Sequence, residues 1–266
     1  MALNEELKAL RQGYKLGKLA PKIDARTLKL ENYVAVGTPA APKEVDWTCG
    51  QKSWGMMLND TLGDCTCAAA GHAIQVWTQA AHFADGETFE KTEPDSAILT
   101  AYEAVSGYNP VTGDNDNGAV MLDVLNCWRK TGVGGDTVAA FASIALHQGS
   151  TIPMAQLALD WFGGLYIGLQ LPLSAQDETV WSQGFGAEGQ AGSWGGHCVY
   201  VVGYDGGGLT CITWGGLQRM TWGFFSTYCD EAYAVLDSAD WLEGTGKAPS
   251  GLNLAQLQAD LKVVTG

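Results

Sequence analysis

The sequence predicts an α+β protein of two segregated lobes, a helical one first and an antiparallel β one second. Three observations carry this prediction. CTCAAAGHAIQVWTQAAH (65–82), an alanine-rich stretch of strong helical character, heads the first half of the body. HCVYVVGYD (197–205) and GLTCITW (208–214) read as strands joined by a Gly-rich turn in the second half. The 35 glycines and ten tryptophans call for many turns and broad aromatic packing, which a simple helical bundle does not need.

Along the chain, Leu3, Leu7 and Leu10 recur at near-helical spacing, so a short helix opens residues 1–17. Pro21 to Pro42 is a Pro-bounded, mixed segment with little structure of its own. Asp64 is a suitable N-cap for the helix at 65–82, along which Ile74, Trp77 and Ala81 continue one apolar face. Further helices are expected near 95–106 and 118–132, around the loop GYNPVTGDNDNG. Shorter helices are expected at 137–148 and 154–161, and a strand at 165–173. MTWGFFSTY and AYAVLD are expected to close the fold with β structure. No repeat of fixed period occurs.

Charge divides the chain into two parts, a basic arm at 1–43 and a body at 44–266. The arm holds eight Lys/Arg against four Asp/Glu, and the rest holds seven against 25. A net charge of −14 speaks against nucleic acid or an anionic membrane as partner. Opposite signs favour docking of the arm, either on its own body or on a neighbouring copy in a homo-oligomer. The opening MALNEELKALRQGYKLG lacks the apolar core of a secretory signal, and no run of 18 apolar residues occurs. The expected location on these grounds is the cytoplasm. Seven cysteines with no CxxC spacing give no reason to assume disulfides or a metal site. DNDNG lacks EF-hand spacing, and the GGLQ and GFGAEG glycines lack the strand and helix of a nucleotide site, so no cofactor is expected.

Cys65 follows the cap Asp64, where free N–H groups and the helix dipole favour a thiolate. A thiol nucleophile also needs a base. His72 lies seven residues along the same helix, about 10 Å away, too far for direct proton transfer. His147 has no partner signal. His197 stands at the mouth of a buried strand after the flexible AGSWGG and is the best candidate. Cys67 is the rival nucleophile, but it lies about 200° around the helix from Cys65.

PKEVDWTCGQKSWGMMLNDTLGDCTC (42–67) resembles the start of a mature papain-family enzyme. Cys65 takes the place of the nucleophile, with Val45-Asp46-Trp47 at the family's usual interval before it. Asn59, six residues before Cys65, stands where the family has an oxyanion-hole Gln. GGHCVYVVGYD is similar to the strand that begins with the family's catalytic His, and TWG at 213–215 falls where the family has N-S-W-G. NDNGAVMLDVLNCWRKTGV is loosely like the Gly-rich loop and helix beside the family's cleft. The resemblance spans about 42–236. It implies a papain-like two-lobed fold with the cleft between the lobes.

It also implies a Cys-His hydrolase of peptide or related amide bonds, with a peptide or protein as substrate. Cys65 would be the nucleophile, His197 its base and Asn59 the oxyanion donor. The family's orienting Asn is absent: Thr213 takes its place by count, or Ile212 with a one-residue gap. That change, with the basic arm and the absent signal, supports the alternative of a catalytically weak or inactive structural or binding protein. The sequence also resembles papain-like proteins of bacterial and phage genomes, which implies a role as a phage particle component and the particle as the other location. Residues 1–43 could be a prosegment over the cleft or an assembly arm.

Overall fold

A computed structural model describes residues 2–84, 93–237 and 252–265. Seven α-helices and eight strands lie among these. Helix α1 (Ala2–Gln12) opens the chain, a 3-10 turn occupies Leu30–Tyr33, and the short strand β1 is Val45–Asp46. The helical lobe follows as α2 (Cys65–Ala84), α3 (Asp95–Ser106) and α4 (Met121–Lys130). The remainder is β2 (Val138–Ser143), α5 (Thr151–Phe162), β3 (Leu165–Leu171), β4 (Val180–Trp181), β5 (Gly195–Asp205), β6 (Gly208–Thr213), β7 (Gly216–Thr221), α6 (Trp222–Tyr228), β8 (Cys229–Asp237) and α7 (Leu254–Thr265).

The strands form one sheet in the order β2-β8-β3-β5-β6-β7-β4, with β1 added to β5. All pairings are antiparallel except that of β4 with β7. The α+β order expected from the sequence is therefore present, helices first and sheet second. Alternation along the central strands splits the core in two. Tyr166, Cys198, Tyr200 and Val202 face the helical lobe, whereas Ile167, Leu169, Val199 and Val201 face the core closed by α5 and α6.

Helix α2 is the axis of the helical lobe. It is apolar on nearly every side, and its first thirteen residues are all buried, as such a helix requires. Trp77 stacks on Trp128 at 5.5 Å and donates from Nε1 to the Phe162 carbonyl at 2.9 Å, which ties α2 to the end of α5.

Two expectations are corrected. Residues 138–143 form an edge strand paired with β8, not a helix. Alanine's helical preference at Ala139, Ala140 and Ala142 gives way because the segment buries four of its six side chains. Residues 222–228 form α6 rather than a strand. The Thr221 side chain caps it by accepting from Phe224 N–H at 3.0 Å, and Phe224, Phe225 and Tyr228 go into the core together.

The arm is docked on its own body. The Arg11 guanidinium donates to the carbonyls of Ala175 (2.9 Å) and Glu178 (2.8 Å) and to Gln218 Oε1 (2.6 Å). Leu28, Leu30 and Tyr33 are buried in the β-side core.

Candidate active site

The chain before Cys65 is pinned from outside. Asp116, in the loop ahead of α4, accepts from Gly63 N–H at 2.8 Å and from the Tyr102 hydroxyl at 2.7 Å through the same oxygen, and Lys15 pairs with its other oxygen. This fixes the turn that delivers Cys65 to the first position of α2. The Asp64 carbonyl, rather than its carboxyl group, takes the N–H groups of Cys67 (2.8 Å) and Ala68 (3.0 Å). Asp64 is wholly buried: one carboxyl oxygen accepts from Asn59 Nδ2 at 3.2 Å and the other has no partner. Burial raises its pKa to about 8, so at neutral pH it is largely a neutral acid.

His197 lies on β5 opposite Leu169 of β3. Its Nε2 is 2.7 Å from Thr213 Oγ1 on β6, and its Nδ1 has no partner. Thr213 rather than Ile212 reaches the imidazole; Ile212 points into the core against the helices. Trp214 follows, held at a φ of 47°, and lays its ring on the imidazole at 4.5 Å and 15°. Tyr14 and Trp194 flank that indole at 5.0 and 5.6 Å. Cys198, the residue after His197, shares one buried cluster with Cys65, so α2 and β5 meet here.

Both groups are closed off. Cys65 and His197 are each 0% exposed. Burial raises the thiol pKa to about 11, and it lowers the imidazole to about 3 with help from the nearby charge of His72. In this arrangement the pair rests as a neutral thiol and a neutral imidazole. Cys67 is buried as well, and its pKa lies well above the ordinary thiol value for the same reason. His72 is held at the Gly55 carbonyl, 3.2 Å from Nε2. Asn59 sits six residues before Cys65, but its amide is engaged by Asp64.

The closing element is the arm. Gly17 O accepts from Ala119 N–H (2.8 Å), Leu19 N–H donates to Ala119 O (3.1 Å), and Lys18 N–H donates to Gly196 O (3.1 Å). Residues 17–19 thus run as an extended strand between the helical lobe and the sheet. The segment crosses directly over Gly63, two residues before Cys65. Only glycine fits at this crossing: a Cβ on Gly17 would lie 1.8 Å from the Gly63 carbonyl oxygen. Lys18 is buried with its ammonium on Asp230 (2.9 Å) and Glu231 (3.1 Å).

Sequence reasoning offered residues 1–43 as a prosegment over the cleft but did not name residues 17–19 as the crossing segment. Its signal was the sign difference between arm and body, which gives attraction but no address. Asp230 and Glu231 lie in a strand-like run with no catalytic spacing. Among the described residues no cluster of His, Cys, Asp and Glu is arranged to hold a metal ion, and no helix is long and apolar enough to cross a membrane.

No protein-family model matches the chain, and no curated protein is similar enough in sequence to match it. Its structure does match solved ones. Xylellain, a cysteine protease from Xylella fastidiosa, superposes with a TM-score of 0.60 at 14% identity, over 85% of this chain and 97% of that one. Procathepsin B from Trypanosoma congolense gives 0.53 at 10% identity, over 87% and 89%. Digestive procathepsin L 3 from Tenebrio molitor gives 0.50 at 15% identity, over 88% and 79%. The fold is that of the papain-like cysteine proteases.

Proposed function

We propose that this chain is a thiol-dependent hydrolase of peptide or related amide bonds, and that its own arm fills the cleft at rest. The observation that carries the reading is the packing of α2, which begins at Cys65, against β5, which carries His197. A thiol at the first position of a buried helix adjoins a strand whose histidine bonds Thr213 through one ring nitrogen and keeps the other unpartnered.

With its proton on Nε2 donated to Thr213 Oγ1, the imidazole presents a lone pair on Nδ1. The Cys65 thiol gives its proton to that nitrogen as the sulfur attacks the acyl carbon. The helix N-terminus stabilises the sulfur's charge. The Cys65 N–H, with the Asn59 amide released from Asp64, holds the oxyanion. The imidazolium then protonates the leaving amine, and water attacks the thioester, passing its proton to His197 and releasing acid and thiol. Thr213 supplies a hydroxyl where a carboxamide would be the stronger acceptor, so His197 is held with less force.

The arm does not act as a substrate in the observed pose. The Gly17 carbonyl is turned to Ala119 and accepts its N–H. Residues 1–43 then act as a prosegment, and water and substrate enter once the cleft portion leaves.

A catalytically inactive binding protein is the second reading, favoured by the closed pair and by the engagement of Asn59 with Asp64. Hydrolysis of a casein or peptide-amide mixture by a chain with a displaced arm, abolished by Cys65→Ala, supports the enzyme. No turnover, with the thiol accessible and the fold intact, favours the binding protein.

A further inference from the structure

Lys18 is an unusual occupant for a cleft between two protein lobes. Its side chain is 0% exposed, and burial by itself opposes its charge. The attraction of Glu231 and Asp230 outweighs that penalty and raises its pKa. Two carboxylates from neighbouring residues of one strand would ordinarily point to opposite faces. Here the pairing of β3 with β8 shifts register: Gly168 faces Glu231, Leu169 faces Cys229, and Asp230 is the extra residue. Such a bulge re-aims side chains, and it brings both carboxylates onto one ammonium.

The pocket has features of a site built for a long cationic side chain. Gly168 opens its wall: a Cβ there would stand 2.0 Å from Lys18 Cε. Gln170 Nε2 braces Asp230 Oδ2 at 2.6 Å, and the Tyr233 hydroxyl braces Glu231 Oε2 at 3.0 Å. Asp230 Oδ1 has no hydrogen-bond partner, so acceptor capacity remains after the ammonium is bound. Main-chain bonds from Ala119 and Gly196 flank the pocket and hold an extended peptide irrespective of its sequence.

We infer that, once the arm is out, this pocket selects peptide substrates with lysine or arginine at the position Lys18 now fills, with Asp230 and Glu231 as specificity-determining residues. The inference rests on the reading of the cleft as a substrate site. The spare oxygen suits the five donors of arginine as well as it suits lysine.

The test uses the full-length chain carrying Gly17→Ala and Lys18→Ala, which evict the segment and keep both carboxylates. Fluorescein-labelled peptides of residues 14–21, with lysine or norleucine at position 18, are titrated by anisotropy. Fluorogenic peptide amides with lysine, arginine, norleucine or glutamate at each position in turn are assayed alongside. The lysine peptide should bind about tenfold or more tightly than the norleucine peptide. That preference should vanish on adding Asp230→Asn and Glu231→Gln. Equal binding, or a preference that survives those changes, overturns the inference.

Cationic preference in binding with no amide turned over leaves the pocket standing and sinks the hydrolase. Turnover without cationic preference does the reverse. A measurement that needs no evicted arm uses Lys18→Ala alone. Its melting temperature should rise with n-butylammonium and stay unchanged with n-butanol, and equal responses again overturn the assignment.

Discussion

Gly17→Ala should convert Cys65 from an inert thiol to a reactive one. With a pKa near 11, Cys65 holds about 300-fold less thiolate at neutral pH than an ordinary cysteine of pKa about 8.5. Burial adds a barrier of access. Native full-length chain should therefore label at Cys65 with iodoacetamide at least two orders of magnitude more slowly than a free thiol of ordinary pKa. The alanine Cβ would stand 1.8 Å from Gly63 O and 2.2 Å from Gly63 C, both backbone atoms that no rotamer change can move. The segment must retreat by about an ångström or more, at a cost of roughly 1–3 kcal/mol. That retreat breaks its bonds to Ala119 and Gly196. Water and reagent then reach a sulfur at a helix N-terminus beside a histidine, where thiol pKa values commonly fall to about 7.5 or below. Labelling mapped by mass spectrometry should accelerate at least a hundredfold and stay selective for Cys65. Fast labelling of the parent chain would refute the closed cleft. A folded Gly17→Ala chain that labels no faster, or that labels at Cys67, would refute the role of Gly17 or of Cys65.

Thr213→Val in the arm-displaced chain should lower kcat for a peptide amide by about 10- to 100-fold with little change in KM, since the imidazole loses its orienting partner. Undiminished kcat would remove Thr213 from the mechanism. Asp64 has a pKa of about 8 folded against 3.8 for the ordinary group, so the folded state holds the proton more tightly. Its contribution to stability is complete below about pH 4, falls as pH rises to about 8, and is flat above. Asp64→Asn keeps an acceptor for Asn59 and should raise the melting temperature at pH 8 by roughly 2–4 °C for each kcal/mol regained, with no gain at pH 4. An equal gain at both pH values would show that the carboxyl does not titrate in this range. Trp214→Ala removes the ring on His197 and its contacts with Tyr14 and Trp194. It should cost about 3–5 kcal/mol in denaturant unfolding, and a loss under about 1 kcal/mol would refute its packing role.

The helix that starts at Cys65, the strand that carries His197 and the order of lobes could be read from the chain because each rests on local signals. An alanine-rich run behind a short polar residue marks a helix start, and an apolar run behind glycines marks a buried strand. The reach of Thr213 to His197 needed only the short β5–β6 hairpin. Where tertiary packing overrode local preference, the reading failed: Ala139, Ala140 and Ala142 went into an edge strand, and the aromatic WGFF run went into α6. The state of the site was the least legible part. The Cys65 pKa depends on burial beside Gly17 and Lys18, which are far away in sequence. The Asp230 bulge is a matter of register, which no composition encodes.

The arm is two devices in series. Leu28, Leu30 and Tyr33 belong to the core, whereas residues 17–19 only cross the cleft. Ile23, between them, is 97% exposed. While the link is whole, the crossing segment competes with any free peptide at an effective concentration on the order of millimolar. One cut near Ile23 would turn that intramolecular contest into an ordinary bimolecular one. Dilution alone would then favour release, and the core strap would stay in place.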